Sequence, residues 1–185
     1  ALPIGLVIAL MADLVKPSRP IISVFTWIIR GTPLLLQLYV TMYAIPLLIP
    51  MKMDRLFAGS ITFAINYSAY FAEIFRSGLA IIPEGQWQAG QVLGLSKTQT
   101  IWYIILPQMF RNSLLPLLNE AITLVKYTSL LAAIALGEML RNAKEIVAKD
   151  LRVDALVMAG LFYLAFSLIV VAIGKKLETR LLRKI

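Results

Sequence analysis

Twenty consecutive residues without a charge, Ala155 to Gly174, constrain this chain more than any other feature. A helix of that length rises about 30 Å, which matches the hydrocarbon core of a bilayer, so the run reads as a transmembrane helix. A second uncharged run, Pro33 to Pro50, is also long enough to span. Of the 185 residues 59% are hydrophobic, against roughly 45–50% in a soluble domain, and mean hydropathy is +0.81. The expected fold class is therefore an all-α integral membrane protein, held in the lipid bilayer.

Absent residue types narrow the chemistry. Cysteine is missing, which leaves no disulfide framework and no thiolate metal site. Histidine is missing too, and with it the commonest general base and metal ligand. No GxxxxGK[ST] phosphate loop occurs, so the chain is not expected to hydrolyse nucleotide by itself, and with no paired-carboxylate constellation an embedded enzyme is disfavoured. The net charge of +8 does not form an aromatic-interleaved patch, so nucleic acid is not the expected partner.

Taken in order, residues 1 to 12 carry no charge but rise only about 18 Å, and read as the C-terminal part of a first span whose start lies upstream. The apolar segment 20 to 29, between Arg19 and Arg30, suits a helix lying in the interface. In the run from Pro33 to Pro50, Pro33 fits a first helical turn and Pro46 marks a kink or an end. A third span is expected from Phe57 to about Phe75, and a fourth from near Pro107 to about Lys126, kinked at Pro116. Thr128 to Ala135 is too short to cross and is expected to be re-entrant, Gly137 to Asp154 lies outside the bilayer, and 155 to 174 is the last span. Residues 13–30, 73–111 and 175–185 together hold 11 Lys/Arg and 4 Asp/Glu, whereas the opposite side holds 6 and 5. The positive-inside rule makes the first side cytoplasmic, with the C-terminus.

Two groups of polar residues stand within the spans. At 100° per residue Asn119, Glu120, Thr123, Lys126 and Tyr127 fall in an arc of about 120° on the fourth span, with apolar residues filling the rest. Ionisable groups at membrane depth cost several kcal/mol unless they face protein or water, which makes Glu120 and Lys126 candidates for a substrate pathway. The competing reading places them near the outer interface as inter-helix contacts. On the third span Asn66, Tyr70 and Glu73 form a stripe at i, i+4, i+7, either lining the pathway or acting as packing glue, with Glu73 able to pair with Arg76.

The stretch from Glu84 to Pro107 is too polar for lipid. Trp87, Val92 and Leu95 supply apolar patches to a short helix, Gly90 and Gly94 permit close backbone approach by another protein, and Ser96 is a candidate N-cap. A short helix in a groove of a soluble partner is one recurrent use of such a segment, and an interfacial helix touching headgroups is another.

Gln88-Ala89-Gly90, then three residues, Gly94, then nine residues, and Ile104-x-Leu106-Pro107 resemble the cytoplasmic loop of binding-protein-dependent ABC importer permeases. Gln88 stands where that family has glutamate, and Gly90 where it has a second alanine. Arg30-Gly31-Thr32-Pro33-Leu34-Leu35 with Gln37, Tyr70-x-x-Glu73-Ile74-Phe75-Arg76, Pro83-x-Gly85-Gln86-Trp87 and Lys126-x-Thr128-Ser129-Leu130 resemble the polar amino acid permeases in particular, with Tyr127 where an aspartate commonly follows the lysine.

The resemblance implies a single transmembrane domain over 1–185, a bundle of about five transmembrane helices with a cytoplasmic coupling helix in the loop 84–107, in the cytoplasmic membrane of a prokaryote. It implies a second permease copy or sister permease, two cytoplasmic ABC ATPase subunits that carry the ATP and magnesium, and an extracytoplasmic amino-acid-binding protein. Gln88, Ala89, Gly90, Gly94 and Leu95 would couple to the ATPase. No catalytic residue and no cofactor is expected on this chain. A channel or accessory membrane protein without an ATPase is the competing class.

Overall fold

The computed structural model describes residues 1–49 and 51–182; Pro50, which closes the second uncharged run, and Arg183 and Lys184 of the basic tail lie outside the described residues. The elements are α1 (Leu2–Leu14), α2 (Arg19–Gly31), α3 (Leu34–Leu48), α4 (Arg55–Ala80), α5 (Glu84–Val92), α6 (Lys97–Ile134), α7 (Met139–Asp150) and α8 (Asp154–Leu182). No strand occurs among the described residues.

By length and composition α6 and α8 can each cross a membrane, and α2 with α3 qualify only as a broken pair. Helix α3 ends at Leu48 and so rises about 22 Å, short of a full crossing. The expected third span is present as α4, whose 26 residues rise about 39 Å. It is nevertheless outside the apolar class, because it carries Thr62, Asn66 and Ser68 on buried positions. A helix packed mostly against protein has no lipid to satisfy and tolerates such residues.

The helix that carries the expected fourth span starts ahead of Pro107: it is continuous from Lys97, begun by a capping box in which Gln99 N–H donates to Ser96 Oγ (3.3 Å) and Ser96 N–H donates to Gln99 Oε1 (2.8 Å). One expected boundary is corrected: 128–134 is not a separate re-entrant piece, since it continues α6 as a 3₁₀ turn ending at Ala135, φ 56°. Proline is absorbed by local changes of helix type. A π turn at Val40–Ala44 precedes Pro46, and another at Ile101–Ile105 precedes Pro107. Proline has no N–H and crowds the carbonyl four residues back, and a wider turn just before it accommodates both.

Contacts divide the chain into two compact units. One comprises Ala1–Arg30, Tyr67–Leu117 and the chain from Lys176. Within it Gly5 of α1 lies against α4 so closely that a Cβ would stand 2.6 Å from Phe71 Cβ. Phe75 and Phe110 meet edge to face at 5.5 Å, Asn112 Nδ2 donates to the Gly78 carbonyl (3.1 Å), and Met109 is fully buried.

The other unit comprises Gly31–Asn66 and Leu118–Lys175. Here Leu38, Ala58 and Ile134 are fully buried, and α3 packs on the 3₁₀ turn of α6. The Ala135 carbonyl accepts from Arg55 Nη1 (3.2 Å) and from Arg141 Nη1, which pins the left-handed turn between α6 and α7. Glu138 caps α7 by accepting from the N–H groups of Leu140 (2.8 Å) and Arg141 (2.6 Å), and it accepts a further bond from the Tyr163 hydroxyl (3.1 Å).

Candidate functional site

Helix α5 begins at Pro83 and ends in a complete Schellman motif: Gly94 N–H donates to the Gln91 carbonyl (2.9 Å) and Leu95 N–H to the Gly90 carbonyl (3.0 Å). Gly94 has φ +71°, the left-handed region that an L side chain enters only at a cost. Gly90 is buried, and a Cβ there would lie 2.6 Å from both Thr100 Cγ2 and Oγ1. The two glycines thus have separate local tasks. Gly90 admits the chain's own Thr100 rather than another protein, and Gly94 turns the backbone, with nothing within 4 Å of its missing Cβ.

The surface this leaves differs from the expected one. Trp87 and Leu95 are half-buried, Gln88 and Ala89 are exposed, and the exposed apolar edge is Val92 with Leu93, 87% and 72% exposed. Gln108 Nε2 donates to Gln86 Oε1 (3.1 Å) and to the Ile104 carbonyl (2.8 Å), which ties α5 to the first turns of α6. Trp102 and Tyr103 on those turns are exposed, as aromatic residues at a membrane interface are.

The polar residues of the spans have different surroundings. Asn119, Glu120, Thr123, Lys126 and Tyr127 share one face of α6, with Asn119, Lys126 and Tyr127 exposed and Glu120 and Thr123 half-buried. The Thr123 hydroxyl donates to the Asn119 carbonyl of its own helix (3.1 Å). Lys126 borders a cavity of about 580 Å³ together with Ser129, Tyr163 and Ser167. Asn66, by contrast, is buried, and its Nδ2 donates to Gln37 Oε1 (3.0 Å), while Gln37 Nε2 donates to Thr32 Oγ1 (2.7 Å) and the Thr32 carbonyl (3.2 Å). Tyr70 belongs to the other unit, where the Arg30 guanidinium stands 5.3 Å above its ring.

Residues 1–183 match the family described as the binding-protein-dependent transport system inner membrane component. The chain belongs to this family. Among its curated relatives, the L-cystine transport system permease protein TcyB of Bacillus subtilis is 40% identical over 152 residues, which cover 80% of this chain and 64% of TcyB. The arginine transport system permease protein ArtQ of the same organism is 35% identical, and the glutamine transport system permease protein GlnP of Escherichia coli 36%, each over 96% of this chain and 84% of the relative. Among solved structures, the crystal structure of an amino acid ABC transporter with histidines superposes with a TM-score of 0.86 at 31% identity, covering 97% of this chain and 84% of that one. The inward-facing MetNI methionine ABC transporter, with a TM-score of 0.76 at 15% identity over 97% of this chain and 85% of that one, shares the fold.

For this inner membrane component, three working contacts escaped the sequence reading. The Gln86–Gln108 link, the Asn66–Gln37–Thr32 chain and the Glu138–Tyr163 bond join residues 22, 29 and 25 positions apart for their longest steps. Asn66, in its polar stripe, and Gln37, a lone amide in an uncharged run, carried a signal, though not for each other as partners.

Proposed function

We propose that the chain is the transmembrane permease subunit of an ATP-driven importer that moves a polar or basic amino acid across the cytoplasmic membrane by alternating access. The observation that carries this reading is α5: a short helix with both ends fixed by backbone and side-chain bonds, presenting the apolar edge Val92–Leu93 beside exposed Gln88 and Ala89. Such an edge fits a groove of a soluble partner. The partner is an ABC ATPase, two copies of which hold the ATP and magnesium. A second permease subunit completes the pathway, and an extracytoplasmic binding protein delivers the substrate. The excess of 11 over 6 Lys/Arg supports a cytoplasmic α5 and C-terminus.

In the translocation path Glu120 holds the ammonium or a cationic side chain of the substrate, and Lys126 holds a carboxylate, each by a charge-assisted hydrogen bond. The relatives named for the transport of cystine, arginine and glutamine, all polar or basic amino acids, support that class. Affinity purification in mild detergent tests the central step. ATPase subunits and ATP hydrolysis should co-elute with the parent and be lost with Val92→Asp/Leu93→Asp, whose exposed positions leave the fold intact. Recovery of other membrane complexes without any ATPase in the parent sample would favour a channel or accessory protein.

A further inference from the structure

Helix α2 divides sharply around its axis. At 100° per residue Arg19, Ser23, Thr26 and Arg30 fall within about 60° of one another, with Ile22 and Trp27 on either flank, while Ile21, Val24 and Ile28 form an exposed apolar stripe on the other side. The polar face closes a cavity of about 330 Å³ with Glu73 and Arg76 of α4. Three guanidinium groups there face one carboxylate.

That carboxylate is already engaged. Arg76 bonds both Glu73 oxygens, through Nε (3.0 Å) and Nη2, and Arg30 Nη1 stands 4.0 Å from Glu73 Oε1 while lying over Tyr70. Arg19 has no ion-pair partner among the described residues. The pocket therefore holds an excess of about two positive charges, presented as planar forks that suit phosphate oxygens. Trp27 lines the cavity and is 76% exposed, so the mouth of the pocket meets the membrane-seeking surface of the same helix.

We propose that this pocket takes the phosphate of an anionic phospholipid, with the apolar stripe of α2 among the acyl chains. The lipid source follows from continuity: a phosphate seated against Arg19 and Arg30 has, at the Trp27 rim, an apolar surface where its own chains fit. An inorganic phosphate would leave that stripe unused. The proposal rests on the membrane reading of the chain and on nothing about the ATPase or the cargo.

The test uses the full chain in phosphatidylcholine bilayers containing phosphatidylglycerol. Trp87→Phe/Trp102→Phe leaves Trp27 as the sole fluorophore of the three tryptophans. Brominated phosphatidylglycerol should quench Trp27 in preference to brominated phosphatidylcholine. Arg19→Gln should cut that preference about fivefold, the effect of one cation beside an anionic headgroup, whereas Arg19→Lys should retain most of it.

Lys97→Gln makes the same charge change elsewhere and should leave the preference unchanged. An equal loss with Lys97→Gln, no preference in the parent, or abolition of the preference by inorganic phosphate would each overturn the proposal. If the double tryptophan variant does not fold, native mass spectrometry of the parent and Arg19→Gln counts retained phosphatidylglycerol, and equal counts refute it. Since neither readout involves ATP or transport, a negative result leaves the importer reading untouched.

Discussion

Gly94 provides the sharpest test of how α5 is built. Its φ of +71° closes the Schellman motif, and no atom lies within 4 Å of where a Cβ would stand. A side chain added there meets only its own backbone, so the cost is the left-handed strain, roughly 1–2 kcal/mol for alanine. Asparagine visits that region more readily, and valine, branched at Cβ, does so least. A local cost of that size enriches the opened form roughly 5- to 30-fold.

Hydrogen exchange of the amides of residues 84–95 should therefore accelerate in the order Gly94, Gly94→Asn, Gly94→Ala, Gly94→Val. Recovery of the ATPase should fall in the same order. A surface where glycine serves close approach by a partner gives another order, because it penalises bulk: alanine would bind better than asparagine, and free-chain exchange would not change. Observing that second pattern would refute the cap as the reason for glycine here.

Gly90→Ala should destabilise the α5–α6 corner by about 1–3 kcal/mol through overpacking on Thr100, and Thr100→Ala should recover part of the loss, read as a non-additive double-mutant cycle in thermal unfolding. Asn66→Ala removes a buried amide that donates to Gln37 Oε1 and should cost about 0.5–1.5 kcal/mol of stability, measured by denaturation in detergent; reduced uptake at unchanged stability would assign Asn66 to substrate instead. Glu120→Gln should lower uptake and substrate-stimulated ATP hydrolysis by about tenfold or more while the complex stays assembled, in keeping with the loss of a charge-assisted bond. Unchanged transport in an assembled complex removes Glu120 from the pathway.

What was legible in the sequence was local. The uncharged run 155–174 became α8, the segment 20–29 became a helix with one polar face, and Ser96 capped as its spacing to Gln99 required. What was not legible depended on partners distant along the chain or on a choice the local pattern leaves open. Gly90 and Gly94 have the same residue type four positions apart, yet one is required by Thr100 and the other by a backbone angle. The stretch 84–107 reads as one polar unit in the sequence, whereas its second half belongs to α6, which the capping box starts and the π turn carries through the proline.

Asn66 shows why polarity in a membrane helix has two readings. The stripe Asn66, Tyr70, Glu73 has the spacing of a pathway face, but each member is met by a group from another helix or from its own next turn: Gln37, Arg30 and Arg76. A helix enclosed by protein can hold hydrogen-bonding residues because neighbours satisfy them, and the same residues satisfied by a substrate would give the same sequence. Only the destination of the bond separates the two cases. On α4 the bonds end on protein, whereas on α6 Lys126 is exposed at a cavity and has no ion-pair partner among the described residues. That contrast favours Lys126 on α6 as a substrate contact, and uptake against stability in Asn66→Ala decides between pathway and packing for the α4 stripe.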